Sequence, residues 1–549
     1  MRKLIKLGVN EGILAYGIPA VSLLVWTAST MDPVNLPKMV LLVAMSFSLV
    51  PFVIARVIKM QITRIPFFVL LNLLFMFWVL IATLRSDTNV LQSFYGVSGR
   101  YTGALTYTAF SLLAVATFFL SNTLFHTRLL AGFIFAGVVN IVYCAYVIIS
   151  KSDPIPWTNI YGSILGTFGN PNFISSFLGI FNIIVLAKII DTGVQKRVRG
   201  MASALLIVSV LEIINSESRQ GLIVSAIGCG GVLIYKLYKS QTSLFLKLFG
   251  FATYILLGLF ALLGMLQIGP LTKLVYKASV SIRGAYWRAG WETMWQNPTL
   301  GIGPDSFGDW YTRVRDSRAM EVPGPDVFTN SPHNVFIDQG VNGGIGLFLI
   351  YCLIQLYILS CGLRFLRKSG GYNYIFAASF FGWIGFTAQS LISINQIGLA
   401  IWGYVLGAVC VGIYKHSEKG SVTTKMSRFN EFSGPLAATG ATIGLVFAIP
   451  PFYADAMWRS ALTSKSLEQV VVAAEKWPQS TDRFIQVSKT LYENKFNSES
   501  LEFVRKGLRF NPNNARLWYF LYQMPGSTEE EKKLAKEKLS VLDPFFVVK

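Results

Sequence analysis

The chain has 549 residues, of which 53% are hydrophobic and 14% are charged, and its formal net charge at pH 7 is +20. Soluble domains carry about 25% charged residues, so this composition excludes an ordinary soluble enzyme and predicts a polytopic membrane protein. The excess of Lys and Arg does not predict nucleic-acid binding, because no basic stripe interleaved with aromatic residues occurs in the sequence.

Thirteen apolar runs divide the chain up to residue 452. A hydrocarbon core of ~30 Å needs about 20 apolar residues per helix, so each run is a candidate membrane span. The runs are 13–29, 37–58, 66–84, 104–122, 129–149, 173–190, 201–216, 220–238, 246–268, 342–363, 373–392, 396–414 and 434–452. The first and the last are the weakest, so totals of twelve or fourteen stay open. The predicted fold class is all-α, a polytopic bundle of about 12–13 transmembrane helices over residues 1–452.

Positive charge in the short connections predicts the orientation of these helices, because cytoplasmic loops carry an excess of Lys and Arg. We place Met1 in the cytoplasm and alternate the runs. The inside connections then contain most of the cations: Lys59, Arg64, Arg128, Lys196, Arg197, Arg199, Lys236, Lys239, Lys247, Arg364, Arg367, Lys368, Lys415, Lys419, Lys425 and Arg428. Residues 269–335 become a long extracytoplasmic loop, and residues 453–549 are extracytoplasmic as well. No cleavable signal peptide is expected, because the first run lacks a small-x-small end before Met31.

Polar residues at the predicted outer face are candidates for substrate contact. Residues 166–173 form a Gly/Asn/Pro turn that enters a helix, with Asn170 and Asn172 among its polar side chains. Arg219 lies in a very short outside turn between two apolar runs. Arginine suits phosphate, because its planar fork makes two charge-assisted hydrogen bonds at once. A guanidinium that merely extends to the membrane surface is the alternative interpretation of Arg219.

The long loop adds two arginines and a histidine. Arg283 and Arg288 share a segment with three tryptophans, and Arg288 fits the solvated face of an amphipathic helix at the membrane interface. His333, one of three histidines, stands in Ser-Pro-His-Asn just before an apolar run. A histidine, with an unperturbed pKa of ~6.5, can give or take a proton near neutrality. A helix cap or a satisfied polar group is the alternative interpretation of His333.

Several motifs are missing from the sequence. It contains no P-loop, no Asp-x-Asp pair and no Cys/His pair at zinc spacing, so neither ATP nor a metal nor another cofactor is expected. All five cysteines fall in apolar runs, so no disulfide framework is predicted. A transferase outside the cytoplasm needs an activated substrate delivered by the membrane, most simply a polyprenyl diphosphate. Arginine would hold the leaving diphosphate and histidine would take the proton of an acceptor hydroxyl.

The C-terminal part, residues 453–549, is richer in charge and carries a repeat. Trp477-Pro478, Asn511-Pro512 and Asp543-Pro544 place their prolines 34 and 32 residues apart, with helical patterns at 481–493 and 499–509 between them. A helix–turn–helix period of about 34 residues that ends in proline is the tetratricopeptide signature. Because only two full periods are present, a capping or scaffolding stub and a domain that recruits a protein partner both stay open.

Five stretches in chain order carry a resemblance to a known family. They are 167–172, 218–221, Arg283-x-x-x-Trp287 followed by 297–304, 331–334 followed by Gly340, Gly343 and Gly344, and 394–402. Together they resemble the O-antigen ligase and O-antigen polymerase-like superfamily of bacterial envelope enzymes. The stretches span residues 160–415, and the helix count extends the resemblance to about 1–452. A tetratricopeptide-like tail after this body is also seen in such proteins.

The resemblance implies an inverting, metal-independent glycosyl transfer from an undecaprenyl-diphosphate-linked glycan at the outer face of the bacterial plasma membrane. By motif, Arg219 and Arg283 match the diphosphate-binding arginines and His333 matches the catalytic base, whereas Arg100 and Arg288 match no family position. Further candidates for substrate contact are Arg288, Asn170, Asn172 and Asn334. The acceptor can be lipid A core, a growing polysaccharide or a protein, and the motifs do not separate these classes.

Two alternatives from other functional classes stay open. Glu212 lies near the outer end of an apolar run, and an intramembrane carboxylate favours a transporter or flippase. Against a carrier, the sequence shows no two-half repeat with interrupted helices. A non-catalytic assembly platform, whose tail recruits envelope enzymes, would tolerate loss of His333 but not loss of the tail.

Overall fold

The computed structural model describes residues 7–60, 65–270, 272–275, 278–419, 433–464 and 466–545. The described residues form helices and connections without a β-strand. Four residues used in predicting the orientation, Met1, Arg64, Lys425 and Arg428, lie outside these ranges.

The helices up to the long loop are α1 (Val9–Leu23), α2 (Asn35–Ser48), α3 (Val50–Ile58), α4 (Phe67–Leu84), α5 (Val90–Tyr95), α6 (Ala104–Phe119), α7 (Thr123–Ser150), α8 (Pro171–Ile190), α9 (Lys196–Asn215), α10 (Arg219–Tyr238) and α11 (Leu244–Met265). The long loop contains α12 (Thr272–Val275), α13 (Ala278–Gln296), α14 (Phe307–Val314) and α15 (Arg318–Glu321). The remaining helices are α16 (Val335–Lys368), α17 (Tyr374–Ser390), α18 (Ile397–Lys419), α19 (Ser433–Ser464), α20 (Leu467–Ala474), α21 (Thr481–Glu493), α22 (Asn497–Phe510), α23 (Ala515–Gln523) and α24 (Glu529–Leu542).

Within the described ranges, ten helical segments are long and apolar enough to cross a membrane. They are the continuous α2–α3 segment, α4, α7, α8, α9, α10, α11, α16, α18 and α19. All thirteen predicted runs coincide with helices, but α1, α6 and α17 have only 15, 16 and 17 residues. They fall short of the roughly 20 residues that a perpendicular span needs, so the predicted count of 12–13 exceeds the number of clear spans.

Burial separates central helices from peripheral ones. In α18, 94% of the most apolar window is buried inside the protein, and in α8 the buried share is 72%. In α11 only 6% is buried, so nearly the whole surface of this helix is left for lipid. A helix that is apolar on all sides needs either protein or lipid around it, and α18 and α11 represent the two cases.

The long helix α16 is broken where the long loop packs against it. Gly343 and Gly344 have non-helical backbone angles, and Gly344 has a φ of +69°. Residues 298–303 fill the break, with the amides of Ile302 and Ile345 donating to the carbonyls of Val341 (2.9 Å) and Pro298 (2.8 Å). A Cβ on Gly344 would lie 2.4 Å from the Pro298 carbonyl oxygen, so the close approach requires glycine. The break therefore ties the loop to the helix that follows His333.

The described part of the C-terminal region is helical. Helix α19 runs without interruption across residue 452 and packs along α2. Helices α21 and α22 confirm the predicted helical patterns at 481–493 and 499–509, and each packs against the other. Helices α23 and α24 form a second packed pair. Two apolar clusters stabilise this region, one around Phe484 and Val487 and one around Leu517 and Leu539.

Candidate active site

His333 occupies a constrained position at the start of α16. Its φ of +53° lies in the left-handed region, which is uncommon for a non-glycine residue. Its amide donates to the hydroxyl of Ser331 at 3.2 Å. The next residue, Asn334, caps α16, because its Oδ1 accepts from the amides of Phe336 (2.9 Å) and Ile337 (3.2 Å). The helix therefore uses the side-chain oxygen of Asn334, which the sequence suggested as a substrate contact.

The His333 imidazole lies between aromatic and cationic groups. Its ring stacks on Tyr286 with centroids 5.6 Å apart and planes 29° apart. The indole of Trp287 donates to the His333 carbonyl at 3.5 Å. Burial, together with the positive charges of Arg283 and Arg100, lowers the pKa of His333 to about 4. The ring is therefore neutral at pH 7 and can accept a proton.

Arg100, to which the sequence assigned no role, is buried beneath the histidine segment. Its Nη1 donates to the Asn330 carbonyl at 2.6 Å. Its Nη2 lies 3.3 Å from Asp305 Oδ1 and 3.5 Å from Asp338 Oδ2. A buried charge requires such partners, because an unpaired one would be strongly destabilising. The Arg100 guanidinium thus links the connection between α5 and α6 to the loop before α14. It also links that connection to residues before and after His333 in the chain.

Asp305 completes this buried cluster from the other side. Its carboxylate accepts hydrogen bonds from the amides of Val97 (3.1 Å) and Thr102 (3.2 Å) and from the Thr102 hydroxyl (2.9 Å). Asp305 itself has a φ of +54°, in the Gly-Pro-Asp turn that follows the break-filling segment. The Asp305 carboxylate therefore binds the protein's own backbone.

Arg283 and Arg288 lie on the same helix but in different surroundings. Arg283 is half-buried, and its charge acts on His333; burial lowers the pKa of its guanidinium, which nevertheless stays protonated at neutral pH. Arg288 is exposed and forms a two-contact ion pair with Asp316, at 2.7 and 3.2 Å. Of these two arginines, Arg283 is the one whose charge acts on His333.

A second set of polar residues surrounds Arg219, which is the first residue of α10. Its Nη1 donates to the Lys273 carbonyl at 3.0 Å. The neighbouring Ser218 caps α10 and also donates to Asn172 Oδ1 at 2.8 Å. Asn170 caps α8 by accepting from the amide of Asn172 at 2.8 Å. The N-termini of α8 and α10 therefore lie side by side, and a helix N-terminus attracts anions.

Gln220 adds a donor that the sequence did not single out. Its side chain is 4% exposed, and its Nε2 has no hydrogen-bond partner among the described residues. Close packing holds it in place, because a Cβ on the adjacent Gly221 would lie 2.2 Å from the Ser175 carbonyl of α8. A buried donor without a protein partner is costly, so it favours a bound water or ligand at this position.

His333 and Tyr286 also line a cavity of about 530 Å³. Further parts of the wall come from α5 and the α5–α6 connection, from α14 and the loop before His333, and from α19 and the C-terminal helices. A histidine in its neutral form, a nearby guanidinium and a cavity beside them can support proton transfer from a bound hydroxyl.

No curated protein matched the chain. The family model described as O-antigen ligase matches residues 204–352, from α9 into the first part of α16. The matched residues include Arg219, Arg283 and His333. The match supports a membrane-bound enzyme of the ligase or glycosyltransferase kind, with lipid-linked glycan and acceptor substrates in general, and residues 204–352 are accordingly similar to the O-antigen ligase family.

Proposed function

We propose that the protein transfers a glycan from an undecaprenyl-diphosphate carrier to an acceptor hydroxyl at the outer face of the bacterial plasma membrane. The observation that carries the proposal is the position of His333. It is neutral at pH 7, stacked on Tyr286 and close to the charge of Arg283, in a wall of the 530 Å³ cavity. The family match over residues 204–352 supports the same class of reaction.

In the proposed reaction His333 is the general base. A ring nitrogen takes the proton of the acceptor hydroxyl as its oxygen forms a bond to C1 of the glycan. The bond between C1 and the diphosphate oxygen breaks on the opposite face, so the configuration at C1 is inverted. The bonding electrons leave with the diphosphate, and Arg283 and Arg219 stabilise the negative charge that develops there. No metal ion takes part in this scheme.

The low pKa of His333 fits this role once the donor is bound. In the free protein, Arg283 and Arg100 disfavour the imidazolium. A diphosphate beside Arg283 brings negative charge that offsets those cations, so the basicity of His333 rises when the donor arrives. His333 is thus most basic in the complex with bound donor. Before the donor binds, His333 takes a proton from bulk water less readily.

The region around Arg219 is the proposed diphosphate site. Two helix N-termini, the Arg219 guanidinium and the Gln220 amide supply hydrogen-bond donors there. Asn170 and Asn172 then act mainly by shaping these N-termini. Three acceptor classes fit this proposal, namely lipid A core, growing polysaccharide and protein. Residues 453–549 would form a tetratricopeptide-like extension with a protein partner.

The test uses purified protein in proteoliposomes with an undecaprenyl-diphosphate glycan and a panel of acceptors. Product should form with the natural protein and be lost in His333→Ala and Arg219→Ala. Arg318→Ala is the control, because Arg318 is an exposed arginine of the long loop that contains His333. This variant should keep full activity. Full product from His333→Ala would remove the proposed base, and no product with any acceptor would contradict the transferase proposal.

One observation favours a carrier as the second candidate. Glu212 in α9 is 2% exposed, and neither carboxylate oxygen has a hydrogen-bond partner among the described residues. An intramembrane carboxylate of this kind is often functional. Movement of lipid-linked glycan across proteoliposomes that is lost in Glu212→Gln, with no glycan transfer, would establish the carrier instead.

A further inference from the structure

The C-terminal helices line part of the cavity beside His333. Besides Met31 and Tyr286, the lining residues fall within 91–101 and 308–333 of the bundle and its loop, and within 451–458 and 478–516 towards the C-terminus. His333 and Tyr286 form part of one wall, and residues from Pro478 to Gln486 form part of another. We call this space the tail-lined cavity. The C-terminal region is therefore part of the wall that faces His333.

The C-terminal wall is fastened to the long loop by a buried ion pair. Arg315 Nη2 lies 2.9 Å from both carboxylate oxygens of Asp543, and the Arg315 side chain is 3% exposed. The hydroxyl of Thr312 donates to the Leu542 carbonyl at 2.8 Å. A two-contact pair with a buried guanidinium has strong orientational preference, so α24 is held in one position against α14.

A second contact between the C-terminal region and the rest of the protein lies at the cavity itself. Asp309 accepts from the side-chain amides of Asn514 (2.7 Å), Asn511 (2.9 Å) and Gln92 (3.2 Å). Gln92 belongs to α5, Asp309 to α14, and the two asparagines to the connection between α22 and α23. One carboxylate therefore joins three parts of the wall, and the protein's own amides satisfy it.

The other charged side chains of the wall also have contacts within the protein. Asp482 and Arg516 form an ion pair at 3.0 Å. Arg483 donates to backbone carbonyls at the end of α20 and in the turn that follows. Asp455 accepts from the amide of Met31 at 2.7 Å. The wall thus carries three carboxylates, Asp309, Asp455 and Asp482, and two guanidiniums, Arg483 and Arg516, and each has contacts within the protein.

Amides, hydroxyls and aromatic rings make up much of the remaining wall, including Gln479, Gln486, Asn330, Tyr95 and Tyr101. Amide and hydroxyl groups both donate and accept hydrogen bonds, which matches a ligand rich in hydroxyls. Aromatic faces add apolar contact with a polar edge, which suits the C–H faces of sugar rings. A phosphate or an acidic peptide would find few uncompensated cations here.

We propose that the tail-lined cavity binds the acceptor as a neutral saccharide and that the C-terminal helices select it. This inference rests on the proposed glycosyl transfer and divides the site into two parts. The donor diphosphate binds on the side of Arg283 and Arg219. The acceptor sugar enters between α5 and α21, and its attacking hydroxyl faces His333.

Ser480 allows a test that leaves the bundle untouched. It lines the cavity at the N-cap position of α21, and within the described chain its hydroxyl does not cap the helix. Ser480→Trp should therefore fill the cavity without removing a cap. Ser498→Trp is the matched control, because Ser498 is an exposed residue of α22 that does not line the cavity.

The probes are envelope oligosaccharides released from the host membranes by mild acid and, separately, undecaprenyl diphosphate in nanodiscs. Calorimetry on the full chain should show saccharide binding to the natural protein and to Ser498→Trp. Ser480→Trp should bind the saccharide at least about tenfold more weakly, which is about 1.4 kcal/mol. Binding of undecaprenyl diphosphate should be the same in both tryptophan variants and weaker in Arg283→Ala.

The possible outcomes separate the two proposals. Equal saccharide binding by Ser480→Trp and the natural protein, or no saccharide binding to either, would overturn the acceptor assignment. If transfer occurs with an unchanged acceptor KM in Ser480→Trp, only the cavity assignment is wrong. If saccharide binding depends on Ser480 while no donor is turned over, the cavity assignment stands and the proposed transfer reaction is wrong.

Discussion

Replacing Arg283 with Gln should raise the pKa of His333. In the natural protein, burial and the charges of Arg283 and Arg100 lower this pKa to about 4, from an ordinary value of 6.5. The difference corresponds to at most about 3 kcal/mol, since one pKa unit is about 1.36 kcal/mol and the half-buried ring keeps some contact with water. Burial is the largest cause and Arg283 the next, so Arg283→Gln should recover part of the difference.

Nitrogen-15 NMR of the imidazoles measures this directly, because the chain has only three histidines. The His333 signal is assigned by its loss in His333→Gln. In Arg283→Gln the midpoint should lie above about 4 and below 6.5. The exposed Arg318→Gln serves as the control and should leave the midpoint unchanged. The acidic limb of kcat/KM, which reports ionisations of the free enzyme, should move in the same direction.

A midpoint near 6.5 in the natural protein would refute the claim that His333 is buried among cations. An unchanged midpoint in Arg283→Gln would refute the electrostatic link between these two residues, even if transfer activity were lost. The sign also fixes the pH dependence of stability. Because the folded-state pKa is lowered, the contribution of the neutral His333 to the free energy of unfolding is fully present above pH 6.5. That contribution is lost as the pH falls from 6.5 towards 4.

Three further predictions concern glycine, the C-terminal fastening and diphosphate geometry. Gly344→Ala should prevent correct folding of the α16 break, because its Cβ would meet a backbone carbonyl at 2.4 Å; size-exclusion profiles and thermal unfolding check this. Asp543→Ala should weaken attachment of α24 by about 3 kcal/mol, because it removes the carboxylate partner of the buried Arg315. Asp482→Ala removes the more exposed ion pair with Arg516 and should cost at most about 1 kcal/mol. Hydrogen exchange in α24 distinguishes the two variants. Arg219→Lys should lower kcat/KM roughly tenfold or more, because a two-pronged contact worth about 1.5–3 kcal/mol is lost; activity at the natural level would contradict the diphosphate role.

The helices were predictable from sequence because their cause is local. Long apolar runs predict spans whatever they pack against, and all thirteen runs fall on helices. Their ends were less predictable. In 13–29, Leu24, Val25 and Trp26 continue the apolar run past the end of α1, so hydropathy misplaces that end. At α19 the helix instead continues beyond the predicted apolar run 434–452, since charge alone does not end a helix.

Residues of the candidate site could be proposed from sequence only where a residue type is informative by itself. A histidine at a membrane face and an arginine in a short turn are unusual in sequence, so His333 and Arg219 could be singled out. Arg100 could not, because its partners Asp305 and Asp338 are more than two hundred residues away and one cation among many loop cations looks ordinary. The role of Gly344 likewise depends on a carbonyl of residue 298, which no local pattern indicates.

The distribution of charge gives a physical reason for the two-part site. A base that must remain neutral at pH 7 benefits from nearby cations, but a neutral acceptor gains nothing from them. The charges of Arg283 and Arg100 act on His333, whereas side-chain amides hold the Asp309 carboxylate in the tail-lined cavity. The charges of the acceptor wall are the same with and without donor. Donor diphosphate is therefore the main change in charge near the base, so the basicity of His333 follows occupancy of the donor site.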